Sequence, residues 1–190
     1  MRKALLRLGR LAQLLPRAES GMAAVEFALV LPIMVVLWIG GVELTQGLSI
    51  DRRLNTLAST IGDLASRTKT LCYSDVDAIF DIAPGAMFPY SATGVGMRLT
   101  AVNIDASRSA TVGWSRGENA TAYTTSNNAL MNTLVPLALR VASTQVIMAE
   151  VTATYTPTVG YVITGGLALN DRLFFVPRLV ASIPLTASCT

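Results

Sequence analysis

The longest apolar run in the chain extends from Gly21 to Val42, GMAAVEFALVLPIMVVLWIGGV, and holds a single charged residue, Glu26. As a helix, Met22 to Val42 spans roughly 30 Å, the thickness of a bilayer's hydrocarbon core, which predicts one membrane crossing. A carboxylate within such a segment costs roughly 2.5–3.5 kcal/mol on insertion scales and calls for a partner or a function. Past the run the pattern turns amphipathic. Leu54, Leu57, Ala58, Ile61, Leu64 and Ala65 recur at three- and four-residue intervals, with Arg53, Asn55, Thr60, Asp63 and Arg67 elsewhere. The membrane helix is therefore expected to continue as a stalk to about Thr68, with Gly40, Gly41 and Gly47 as places to bend. Such a stalk must bury its apolar stripe against its own domain or neighbouring subunits. Pro32 removes one backbone bond inside the membrane helix and predicts a kink or a locally melted turn.

Further along, Cys72 to Gly96 reads as irregular, punctuated by Pro84-Gly85, Pro89 and Gly94. Met97–Ile104 and Ala110–Trp114 are expected strands around a polar turn at Asp105–Ser109. Leu130, Leu134, Leu137, Ala138 and Val141 recur at helical spacing, with Asn127 or Asn128 as the cap. Two alternations follow: Ile147, Ala149, Val151, Ala153 and Tyr155 share one strand face, and Leu179, Ala181, Ile183, Leu185 and Ala187 share another. Pro184 suggests that the last strand lies at a sheet edge. Val159 to Leu169 is apolar but too short to cross a membrane, and is expected to be buried core. The fold class is α+β: a single N-terminal transmembrane helix continuing as an amphipathic stalk, then a small antiparallel-sheet ectodomain with helices. The expected divisions are a basic leader (1–21), the transmembrane helix (22–44), the stalk (45–70) and an exported α+β domain (71–190).

Charge sharpens the topology. Arg2, Lys3, Arg7, Arg10 and Arg17, opposed only by Glu19, predict a cytoplasmic N-terminus. A cleaved secretory signal also starts with a basic region before an apolar one. This run is longer than a usual signal core, and Glu43, Leu44, Thr45 and Gln46 follow it without a small-x-small site, so a retained anchor is expected. The formal net charge of +3 resides in that leader; residues 22–190 carry ten basic and eleven acidic groups, which removes the electrostatic footprint of a nucleic-acid binder.

The chain contains no histidine, which excludes Ser-His and Cys-His catalysis and the commonest metal ligand. No catalytic residue, metal or cofactor is assigned. Cys72 and Cys189 both fall on the exported side. They either pair, closing a loop of more than a hundred residues worth roughly 4–5 kcal/mol in the chain-entropy model, or stay as two buried thiols. Asp75, Asp77 and Asp81 lie close in sequence but lack the glycine and terminal glutamate of a calcium loop, so a solvated helix start is expected. The sequon at Asn119-Ala120-Thr121 is too short a match to carry weight.

Gly21, Met22, Glu26, Phe27 and the run Ala28-Leu29-Val30-Leu31-Pro32 resemble the N-terminus of the TadE-like proteins of the tight-adherence (type IVc) pilus system. More broadly they resemble the processing site of type IV prepilins, a Gly followed by the new N-terminal residue and a Glu at its fifth position. Glu150-Val151-Thr152-Ala153-Thr154-Tyr155-Thr156-Pro157 is similar to the family's Glu-Val strand ending in Tyr-x-Pro, and Pro177-Arg178 resembles its terminal Pro-Arg. Residues 72–140 carry no such resemblance, and nothing resembles the metal-binding adhesion domain of some longer relatives.

The resemblance implies cleavage between Gly21 and Met22 by a prepilin peptidase, with Glu26, Phe27 and Pro32 serving assembly and helix pairing. It implies a single-pass protein of the bacterial inner membrane with a periplasmic C-terminal domain, other pilin or pseudopilin subunits as partners, no nucleic acid, and no enzymatic activity. The resulting expectation is a minor pilin-like (pseudopilin) subunit that primes, caps or supports a secreted fibre, either entering it or only aiding its assembly. The rival reading is a membrane-anchored periplasmic ligand-binding or sensor module.

Overall fold

The computed structural model describes residues 19–157, 160 and 164–189. Its first element, α1 (Glu19–Ser66), is a 48-residue helix running without interruption through Pro32, Gly40, Gly41 and Gly47. The expected melted turn at Pro32 is absent: one missing N–H leaves the bonds of the turns on either side intact. The helix ends within two residues of the position its amphipathic pattern predicts.

The stretch expected to be irregular instead forms β1 (Leu71–Cys72), α2 (Tyr73–Phe80) and α3 (Ala83–Met87). Pro84 starts α3 rather than breaking it, because a proline in the first turn lacks only an N–H that would have no helical partner. Four antiparallel strands follow, β2 (Gly96–Ile104), β3 (Ala110–Glu118), β4 (Thr144–Tyr155) and β5 (Leu167–Phe175), in the spatial order β3-β2-β4-β5. Between β3 and β4 lies the short helix α4 (Asn128–Leu134).

Strand alternation divides the core in two. Met97, Leu99, Ala101, Ile147, Ala149 and Val151 face α1, whose Leu54, Leu57, Ala58, Ile61 and Ala65 are buried against them. Each fully buried leucine or isoleucine contributes about 1.5–3 kcal/mol, so this stripe fastens the stalk half of α1 to its own domain. The other sheet face packs Val102, Ile104, Val146 and Met148 against Met131 and Val135. The domain is thus a sheet between the long helix and α4.

Three expectations are corrected. The helix expected over Leu130 to Val141 stops at Leu134, two residues before Pro136. Its buried residue is Met131, while Leu130, Leu137 and Val141 are exposed. Asn127 and Asn128 do not cap it through their side chains; Asn128 Oδ1 instead accepts a bond from Val112 N, and Asn132 Oδ1 one from Ala110 N, both at 2.8 Å. These two side chains occupy N–H groups along β3, an edge strand that would otherwise template pairing with another chain.

The strand expected across Leu179 to Ala187 shrinks to β6 (Leu185–Thr186), paired in parallel with β1. The preceding residues cross the end of the sheet, where Trp114 Nε1 donates to Ile183 O and Ile183 N donates to Gln145 Oε1. Pro184 needs no N–H there, since its carbonyl accepts from Leu71 N. Finally, the expected buried segment Val159 to Leu169 has an exposed end at residues 164–168, which leads into and begins β5; residues 158–159 and 161–163 lie outside the described residues.

Candidate assembly helix and its anchorage

The two halves of α1 live in different surroundings. From Gly21 to Val42 its side chains are exposed or, at Ile39 and Gly40, half-buried, among them Met22, Phe27 and Trp38. From Gly21 onward the helix is long and apolar enough to cross a membrane, which supports membrane anchoring. Gly21 and Met22 stand at its start and Glu26 one turn later, on an exposed face; among the described residues no hydrogen bond or ion pair reaches the Glu26 carboxylate. Pro32 lines a shallow hollow with Ile33, Val36 and Leu37.

Where the apolar half ends, the helix is clamped. Glu43 is buried, and its Oε1 accepts a bond from Gly160 N at 2.8 Å. The Tyr155 hydroxyl donates to the Glu43 carbonyl at 3.1 Å and lies 3.3 Å from Gln46 Oε1. Burial first, then the charge of Glu43, raises the pKa of Tyr155 above its ordinary value, which keeps this donor protonated. A methyl group added at Gly47 would meet the same ring at ordinary van der Waals distance.

A second clamp closes the other end. Arg178 N donates to the carbonyl of Ser66, the last residue of α1, and satisfies one of the acceptors that every helix C-terminus leaves open. The Arg178 guanidinium reaches Asp63 Oδ1 at 2.6 Å, and Arg67 pairs with the same carboxylate. The Tyr-x-Pro and Pro-Arg pieces singled out in the sequence therefore meet α1 at opposite ends of the domain. Neither role was legible locally, because each partner lies more than a hundred residues away.

The sequence also gave no signal for a buried ionic group on the sheet face opposite α1. Glu150 is buried on β4; Arg98 Nε donates to its Oε2 at 2.8 Å and Arg172 Nε to its Oε1 at 2.7 Å. Arg98 also stacks 3.7 Å from the centre of the Tyr123 ring and donates to Thr121 O. The register makes this possible, since Glu150 is paired with Arg98 on one side and Arg172 on the other. All its ligating capacity is used internally, which suits a structural cross-tie between strands.

Cys72 and Cys189 are bonded, with Cα atoms 5.3 Å apart. With Asp75 they form a compact group, but bonded sulfurs offer no thiolate to a metal, and Asp75 Oδ2 accepts from Cys72 N. Asp77 forms two hydrogen bonds with Arg116. Two of the three acids considered for calcium are thus engaged separately.

These features define a class: an α+β protein whose one long helix is shared between an exposed apolar segment and the core of a small domain. Residues 21–62 match the TadE family model, described as TadE-like protein, so the resemblance drawn from Gly21 to Pro32 holds over the apolar half of α1 and on into the stalk. No curated protein and no solved structure matches the chain.

Proposed function

We propose that the protein is a minor pilin-like (pseudopilin) subunit needed for assembly of a type IVc tight-adherence pilus. It is made as a precursor and cut between Gly21 and Met22 by a prepilin peptidase. One observation carries the reading: the TadE-like match falls on a helix that is exposed and apolar at one end and locked into a domain at the other. A helix built this way transmits position between a bilayer, or neighbouring helices, and a folded head.

In this reading the protein acts by assembly rather than by catalysis. The basic residues of the leader hold the N-terminus in the cytoplasm and the domain in the periplasm. Gly21 lies in the first turn of α1, where a glycine weakens the helix by about 1 kcal/mol relative to alanine and eases the unwinding a protease requires. Cleavage frees an amine on Met22, four residues from Glu26 and so on the same helix face, in the turn where the helix dipole favours a carboxylate. The amine of an adjacent subunit is the other partner available to Glu26 during assembly.

Mass spectrometry of the mature N-terminus tests the proposal, and a chain beginning at Met22 is expected. An intact N-terminus would overturn processing and move the reading to a membrane-anchored ligand-binding or sensor module. Glu26→Ala is expected to impair processing, subunit association or assembly; if all three are unchanged, the role given to Glu26 is lost.

A further inference from the structure

Charge is unevenly distributed between the two ends of the domain. The described segments gathered at the end nearest the apolar half of α1 are residues 44–50 (LTQGLSI), 82–97 (IAPGAMFPYSATGVGM), 151–157 (VTATYTP) and 164–170 (TGGLALN), and none contains a charged residue. The opposite end carries Asp63, Arg67, Asp105, Arg108, Arg140 and Arg178. We propose that the uncharged end is a lipid-contacting surface, seated on the headgroup layer of the bilayer that α1 crosses. The proposal rests on the membrane-anchoring reading of α1 and goes beyond it.

Heights along the helix support this placement. Leu167 is paired with Tyr155, whose ring lies beside Gly47 and whose hydroxyl reaches the Glu43 carbonyl, so it stands near the level of residues 43–47. Phe88 follows Met87, which lines a cavity of about 480 Å³ together with Gln46 and Ile50. At 1.5 Å per residue, positions 43–50 lie roughly 2–12 Å beyond Val42. The headgroup region adds about 5–7 Å to each side of the hydrocarbon core, and a typical tilt of about 20° brings one side of the domain closer still.

The side chains at these heights suit that environment. Leu44, Leu48 and Leu167 are 57%, 51% and 44% exposed, and Phe88 is 72% exposed. Water is a poor surrounding for this apolar collar, whereas the interfacial layer accepts aromatic and aliphatic groups. The charges bordering these segments are Glu43, which is buried, Asp81, Glu118 and Asp171, Arg98, which is paired with Glu150, and Asp51, Arg52 and Arg53, which at 1.5 Å per residue lie about 14–17 Å beyond Val42 and so past the headgroup layer. With no basic residue in the segments at the headgroup level, the surface matches zwitterionic or neutral lipid rather than anionic lipid.

Photo-crosslinking of the full-length protein in phosphatidylcholine vesicles tests the inference. Benzoylphenylalanine would replace Trp38 within the span, Phe88 at the proposed surface, or Leu137, whose chain neighbourhood lies at the opposite end, one at a time. Lipid adducts are expected at positions 38 and 88, with the yield at 88 several-fold above that at 137 and no rise when anionic lipid is added. Lipid adducts at 38 accompanied by protein adducts alone, or by none, at 88 would overturn the surface and leave the anchor standing; protein adducts would assign it to another subunit. A yield at 88 no higher than at 137, or one requiring anionic lipid, also overturns the proposal. Absence of lipid adducts at 38 removes the anchor reading and the proposal with it.

Discussion

Gly62 of α1 faces Phe175 of β5 so closely that a methyl group at position 62 would lie 2.2 Å from the ring carbon Cε2 and 3.0 Å from Ala149 Cβ. The long helix and the sheet come together there without room for a side chain. Gly62→Ala is expected to destabilise the domain by about 1–3 kcal/mol, the usual effect of overpacking. Gly47→Ala is the control: its new methyl meets the Tyr155 ring at 3.4 Å, an ordinary contact, and gains about 1 kcal/mol of helix propensity. Denaturation of both variants in the same detergent checks the contrast, and equal stabilities would remove the close-approach argument.

Glu150 holds two guanidinium groups, Arg98 and Arg172, while itself buried. Deleting the carboxylate leaves two partly buried cations facing each other. Glu150→Ala is expected to cost about 3–5 kcal/mol, whereas the triple change Arg98→Met, Glu150→Leu, Arg172→Met removes the charges together and should cost much less. Urea titration of the two variants decides it; a triple variant less stable than Glu150→Ala would show that the ionic group is worth more than its desolvation.

Alkaline stability follows from Tyr123 and Tyr155. Burial, and after it the negative charge of Glu150, raises the pKa of the Tyr123 phenol; burial and then Glu43 do the same to Tyr155. An unfolded phenol titrates near pH 10. As pH rises through that value the unfolded chain releases protons that the folded one retains, which favours unfolding. The contribution is complete below about pH 10 and is lost as pH climbs through the higher folded values. Denaturation midpoints should fall between pH 9 and 11 in the wild type and fall less in Tyr123→Phe/Tyr155→Phe; identical slopes would contradict this.

Cys72 and Cys189 stand 117 residues apart in sequence, so their bond constrains nearly the whole domain in the unfolded state. Peptide mapping without reductant is expected to recover the two cysteines in one linked species. Replacing both by serine should lower stability by roughly 4–5 kcal/mol in the chain-entropy model. Recovery of two separate thiol peptides from protein isolated under oxidising conditions would count against the bond.

The sequence by itself determined the features that depend on short-range order. A 22-residue apolar run followed by a three-and-four spacing was enough to specify one long helix ending near Ser66, the polar turn at Asp105–Ser109 was enough to bound β2, and alternation was enough for β4. The same reasoning failed at several segments, of which one misread and one unassigned stretch show why. Leu179 to Ala187 alternates like a strand, yet only Leu185 and Thr186 find a pairing partner. Leu167–Phe175 carries Asn170-Asp171-Arg172 at its centre and shows no clean period, yet it forms a full strand, because β4 supplies the ladder and Glu150 receives Arg172. Periodicity records which side chains are apolar, not whether an unpaired edge lies alongside.

The candidate site divides in the same way. Gly21, Met22, Glu26 and Pro32 sit on one continuous helix, so their spacing was readable in one dimension. The clamps at Glu43 and Ser66 join residues more than a hundred positions apart, and only the folded chain brings Tyr155 and Arg178 to the two ends of the stalk. Hydrogen bonds of that range have no local signature; they exist because burying the stripe from Leu54 to Ala65 against the sheet fixes where the helix begins and ends relative to the domain.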